Sequence, residues 1–184
     1  MSVSKLAQTR VQALSIALLL LSAVACDSTP PGQPINFANG ILNMSISPDW
    51  VLQRDTGDRA YYTHAQLEDV KLSFENQTAD FGSPMTVGAV RGAIGSELNL
   101  RYGGVDARLG YGGCAVLTYP RKVTEGRKQV YTKNWVVAHP YGYGAIARVA
   151  ITLQVPDGQQ ATPEFQSLVE MLDRQVGDAQ MPEA

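Results

Sequence analysis

A chain of 184 residues with a net charge of −2 has room for one domain once a leader and a tether are set aside. The remaining roughly 140 residues are enough to bury about two thirds of the unfolded surface without metals or disulfides. Charged residues make up 17% of the chain, below the ~25% of an average globular domain, and 17 glycines point to a strand-rich fold with many tight turns. Removing Lys5 and Arg10 with the leader takes the net charge from −2 to −4, which excludes general nucleic-acid binding, since that needs a basic excess.

Residues 1–25 read as a secretory signal peptide. Lys5 and Arg10 open it, Val11 to Ala25 carries no charge, Leu18 to Leu21 forms its apolar centre, and Ala23-Val24-Ala25 closes it with small residues. The uncharged run is shorter than the ~20 apolar residues of a membrane-spanning helix, so cleavage is expected. Ala23-Val24-Ala25-Cys26 resembles the lipobox of bacterial lipoproteins, with Ala23 where that motif usually has Leu. The resemblance implies a lipid on Cys26, which holds the chain to a membrane; ordinary cleavage at the same bond is the alternative. Asp27 is similar to the inner-membrane retention signal of enterobacterial lipoproteins. Residues 26–34 then form a tether whose three prolines, Pro30, Pro31 and Pro34, favour an extended, semi-rigid spacer.

The domain is expected over residues 35–177, with residues 178–184 as a tail. Ile35 to Phe37 and Ile41 to Ser47 flank Asn39-Gly40, a favoured turn pair, and predict an opening hairpin. Short strands are expected at Val51 to Gln53, Ala60 to Thr63 and Asp69 to Asn76. Ser83-Pro84 then predicts a helix start, followed by Val87, Val90, Ile94 and Leu98 as one apolar stripe ending near Tyr102-Gly103-Gly104. Gly88, Gly92 and Gly95 weaken that helix, and close packing on a sheet is the expected reason for them. Three or four strands follow, at about Val105 to Leu109, Cys114 to Pro120, Lys128 to Ala138 and Ala145 to Val155, joined by tight turns. Thr162-Pro163 opens a second helix, with Phe165, Leu168, Val169, Leu172 and Val176 on one face. The fold class is α+β, a twisted antiparallel sheet with two packed helices.

No residue set points to catalysis. Gly142-Tyr143-Gly144-Ala145-Ile146-Ala147 has the letters of a dinucleotide-binding turn, but a β-branched run follows it where that turn requires a helix. His64 and His139 have no ligand partner at metal-binding spacing. No nucleophile elbow is present, and the acidic pairs fall in turns. Cys114 sits in an apolar run and reads as a buried, inert thiol. No cofactor and no metal are expected. The sequons at Asn43 and Asn76 carry no weight in a bacterial export product.

Charge is most uneven at Arg121, Lys122, Arg127, Lys128 and Lys133, which flank one predicted hairpin tip with only Glu125 to oppose them. A solvated, edge-protecting cluster is the default. The functional alternative is a contact surface for an acidic partner or for phospholipid headgroups, to which Tyr131 and Trp135 would add aromatic anchors unless they belong to the core.

Cys26-Asp27, the run Asn36-Phe37-Ala38-Asn39-Gly40-Ile41-Leu42-Asn43-Met44-Ser45-Ile46-Ser47-Pro48-Asp49-Trp50, and Ala150 to Gln160 with the helix after it resemble DcrB-type periplasmic lipoproteins of the Mog1/PsbP-like fold. The match covers about residues 35–177, and its motifs are turns and core positions. The resemblance implies a non-enzymatic envelope lipoprotein or adaptor that binds protein partners near the membrane. A carrier of a small apolar or amphiphilic ligand, held between sheet and helices, is the alternative.

Overall fold

The computed structural model describes residues 32–182. Cys26, the leader and the tether up to residue 31 lie outside the described residues. The described chain forms ten strands and two α-helices. The strands are β1 (Gln33–Phe37), β2 (Leu42–Ile46), β3 (Trp50–Asp55), β4 (Arg59–His64), β5 (Lys71–Asn76), β6 (Ala79–Asp80), β7 (Asp106–Leu109), β8 (Ala115–Glu125), β9 (Lys128–Tyr141) and β10 (Ala145–Pro156). The helices are α1 (Val87–Tyr102) and α2 (Pro163–Gly177).

Eight of these strands make one antiparallel sheet in the order β3-β4-β5-β10-β9-β8-β7, with β6 continuing beside β10 where β5 stops. The class is the α+β arrangement the two hydrophobic periods predict. The opening hairpin departs from the expectation of a single sheet, since β1 and β2 pair with each other and with no other strand. Its turn is also shifted. Ala38 and Asn39 take the left-handed conformation at φ 52° and 56°, Gly40 follows at φ 92°, and Phe37 pairs with Leu42. The reason is alternation: Ile35, Phe37, Leu42, Met44 and Ile46 all point into the core, so the hairpin lies over the sheet instead of extending it.

Period two divides the sheet into two apolar faces. Trp50, Leu72, Phe74, Trp135, Val137, Val149, Ile151 and Leu153 meet the β1–β2 hairpin and the Phe165, Leu168, Leu172 and Val176 stripe of α2. Ala115, Leu117, Tyr119, Val136, Ala138 and Ile146 meet Val90, Ile94 and Leu98 of α1 on the other face. Each of the buried Val, Leu and Ile side chains contributes about 1.5–3 kcal/mol from area removed from water. Thr162 caps α2 by accepting from the Phe165 amide at 3.3 Å, with Pro163 in the first turn.

Helix α1 starts later than Ser83-Pro84 predicts. The Phe81 amide donates to the Gly144 carbonyl at 2.7 Å, which keeps this segment extended, and Thr86 becomes the cap by accepting from the Ala89 amide. Only one of its glycines is explained by packing. A Cβ on Gly95 would sit 3.4 Å from the Leu117 side chain, whereas Gly92 has nothing within 4 Å and Gly88 only the Thr86 hydroxyl. Residues 178–182, expected as part of a tail, pack on the domain: Ala179 and Met181 are buried, and Asn43 and Gln180 exchange both backbone hydrogen bonds at 2.9 Å.

Candidate interaction surface

The five basic residues share a hairpin but not a surface. Arg121 pairs with Thr132, Lys122 with Tyr131, and Pro120 with Lys133, while Lys128 stands opposite Glu125 and Arg127 is in the turn. Alternation therefore sends Arg121 and Lys128 to the α1 face and Lys122 and Lys133 to the α2 face. Arg121 lies with its guanidinium 4.5 Å above the Tyr102 ring, which stacks on Tyr119 at 4.8 Å with 8° between planes. Burial, and then Tyr102, push the Tyr119 phenol up from its ordinary value. Lys122 is bound to Asp157 at 3.0 Å, which holds that carboxyl below its ordinary range. The hairpin thus presents Arg127 and Lys128 at its tip rather than a patch of five. A depression of about 120 Å³ beside them is lined by Asp69, Lys71, Glu125, Lys128 and Gln154. Acidic and basic groups alternate there.

The two aromatics proposed as anchors belong to the interior. Trp135 is fully buried and its indole N–H donates to the Asp173 carboxylate on α2. Arg108 from the edge strand β7 reaches the same residue, 3.8 Å from the carboxylate and 3.1 Å from its carbonyl oxygen. Tyr131 packs edge-on against Phe165.

Sequence reasoning missed a polar row on the sheet. Tyr119, Asn134, Thr152, Ser73 and Tyr61 stand in register across β8, β9, β10, β5 and β4. Asn134 donates to the Tyr119 carbonyl at 3.2 Å and to the Thr132 hydroxyl at 3.0 Å, and accepts from Thr152 at 3.0 Å. The row marks where the apolar patch under α1 ends and the solvated half of that face begins. Its signal was present in Thr132 and Asn134, polar residues at alternate positions just before Trp135 to Ala138, which are apolar on both faces.

His64 is poised as an acceptor. Its Nδ1 takes the Gln66 and Leu67 amides, each at 3.2 Å, and its ring meets Trp50 edge-on at 5.0 Å. Burial pushes this imidazole down, with Asp49 opposing. His139 only touches the Pro140 carbonyl. Cys114 is buried, and burial pushes its thiol up, opposed by the Met181 backbone. Among the described residues, no three His, Cys, Asp or Glu side chains converge as metal ligands. The Gly142-Tyr143-Gly144 turn leads into strand β10, not a helix.

Side chains are buried between the sheet and each helix, and an open depression of about 330 Å³ lies between α1 and β7, lined by Arg91, Gly92, Gly95, Asn99, Val105 and Ala107. A depression of about 650 Å³ opens on the outer polar side of the β1–β2 hairpin, where Asn36, Asn43, Ser45, Gln175, Asp178 and Gln180 line it. No helix among the described residues is long and apolar enough to cross a membrane.

No protein-family model matches this chain, and no curated protein matches it. Solved structures show the fold. A protein from Bacteroides thetaiotaomicron is similar at a TM-score of 0.55 and 8% identity; the match takes in 83% of this chain, which spans about half (49%) of that one. LpqN of Mycobacterium tuberculosis, described as involved in cell envelope biogenesis, is similar at a TM-score of 0.50 and 14% identity, over 83% of this chain and 87% of LpqN.

Proposed function

We propose that this chain is a cell-envelope lipoprotein whose domain acts by binding other envelope proteins and not by catalysis. The observation that carries the reading is the placement of Cys26. It follows an uncharged apolar run closed by Ala23-Val24-Ala25 and precedes the first strand, at Gln33, by a short proline-containing tether. A triply acylated cysteine carries more than the two anchoring signals that stable membrane residence needs. Asp27 favours retention in the inner membrane. The fold shared with LpqN, itself tied to cell-envelope biogenesis, supports the same address. The buried side chains that pack both helices on the sheet favour action at the surface over carriage of a ligand between sheet and helices.

The test is membrane fractionation of cells expressing the full chain, wild type and Cys26→Ala, with palmitate labelling. Label and inner-membrane residence, both lost in the variant, are expected. Label that persists in Cys26→Ala refutes the anchor.

A further inference from the structure

The outer face of the β1–β2 hairpin and the end of α2 enclose a depression of about 650 Å³, a volume within the range of small-molecule sites. Asn36 stands directly opposite Asn43 in the hairpin, and Pro34 opposite Ser45. All four side chains are exposed. Opposite residues lie about 5 Å apart and alternate ones along a strand about 7 Å, so the four form a grid on the scale of one hexose ring. Gln175 and Asp178, one turn apart at the end of α2, and Gln180 beyond them make the wall.

Recognition here falls to side chains, because the backbone around the depression is already paired. Asn43 exchanges hydrogen bonds with Gln180 at 2.9 Å on the side of β2 away from β1, which closes that edge to an added strand. At the end of α2 the carbonyls of Arg174, Val176 and Gly177 accept from the amides of Asp178, Ala179 and Gly112. The polar side chains are mostly unengaged: among the described residues only Asn43 has a partner, its Nδ2 donating to the Gly40 carbonyl at 3.2 Å. Gln175 Oε1 is moreover buried with no donor opposite it. Buried acceptors are ordinarily paired, and a ligand hydroxyl entering beside Gln175 supplies the donor.

The lining selects the chemistry of its ligand. Asp178 is its one charged residue, and it holds no aromatic side chain. A phosphate or carboxylate would meet no cation there, and an apolar anchor would find only Pro34 exposed. Side-chain amides and the Ser45 hydroxyl both donate and accept, and Asp178 accepts. Neighbouring sugar hydroxyls likewise donate and accept, while the C–H face of the ring can rest on Pro34. The Asn43–Gln180 bridge and the buried Ala179 and Met181 hold the wall in place, so little order is lost on binding.

We infer that this depression is a binding site for an uncharged saccharide, an inference that goes beyond the lipoprotein reading and does not depend on it. The test is saturation-transfer difference NMR on the mature full chain, purified in a detergent without a sugar headgroup, with chitotriose and maltotriose as probes. Binding of at least one is expected. Its affinity should fall about tenfold in Asn36→Ala/Gln180→Ala, as for loss of one or two amide hydrogen bonds, and stay unchanged in Asn99→Ala, beside α1 and β7. Asn36 and Gln180 are exposed, and an unchanged urea midpoint shows that the double variant keeps its fold. Binding of neither sugar, an affinity unmoved in the double variant, tighter binding of the cationic glucosamine trimer, or equal binding of an acetylated trialanine amide would overturn the inference. Sedimentation with purified wall sacculi, competed by the bound sugar, tells a wall glycan from a free oligosaccharide.

Discussion

Replacing Asp173 by Ala tests how α2 is held to the sheet. The fully buried Trp135 indole N–H has the Asp173 carboxylate as its partner, and Arg108 approaches that carboxylate to 3.8 Å. The alanine variant leaves a buried donor with no acceptor, at a cost of about 1–3 kcal/mol. The Arg108 pair is part-exposed and adds little, since screened pairs are worth about 0–1 kcal/mol. For a domain of this size the loss corresponds to a fall in Tm of roughly 2–4 °C per kcal/mol. Trp135→Phe removes the donor and keeps most of the ring, and the Asp173 carboxylate, about a third exposed, regains water. Asp173→Ala should therefore cost less in the Trp135→Phe background, giving a coupling of about 1–2 kcal/mol. The assay is urea unfolding of the four leaderless, unlipidated proteins, followed by circular dichroism. A loss below about 0.5 kcal/mol in Asp173→Ala, or additive effects of the two substitutions, refutes the reasoning.

Two glycines predict opposite outcomes. Gly112→Ala should destabilise by more than about 2 kcal/mol, because its Cβ meets the Ala179 carbonyl, whereas Gly92→Ala should stabilise by about 1 kcal/mol in urea unfolding, the helix position being open. Acidification should weaken the fold through His64, whose imidazole is pushed below its ordinary 6.5. The unfolded chain then takes up the proton first, so the stability is complete above about pH 6.5 and is lost as pH falls through the folded value. The drop in urea midpoint between about pH 7.5 and about pH 5.5 should be smaller in His64→Gln. Reversing Arg127 and Lys128 to Glu should change stability by less than ~0.5 kcal/mol in the same assay, since neither cation forms an ion pair among the described residues. If the tip does contact an acidic partner, the reversal should weaken membrane association of the unlipidated chain most at low salt.

The long strands and the last helix were legible because one property dictated each of them. Phe165, Leu168, Leu172 and Val176 can share a face only as a helix, and the β-branched run after Gly144 only as a strand. The opening hairpin was legible as a hairpin but not as a separate layer, since Ile35, Phe37 and Leu42 suit any buried face. Ser83-Pro84 looked like a helix start until tertiary pairing of the segment with Gly144 overrode it. The basic cluster misled for a simple reason: residues close in sequence on a strand alternate faces, and Arg121 and Lys122 each found a local partner. The polar depression escaped notice because Asn36 and Asn43 meet Gln175 and Asp178 only where the fold lays the hairpin beside the end of α2.

The account stands or falls on the chemistry of Cys26. The measurement that addresses it most directly is the intact mass of the mature protein purified in detergent from membranes of the producing bacterium, with fragmentation of its N-terminus. The account predicts a chain that begins at Cys26, with a diacylglyceryl group on the thiol and an acyl chain on the amine. A chain that begins at an unmodified Cys26, or one that retains the leader, would contradict it.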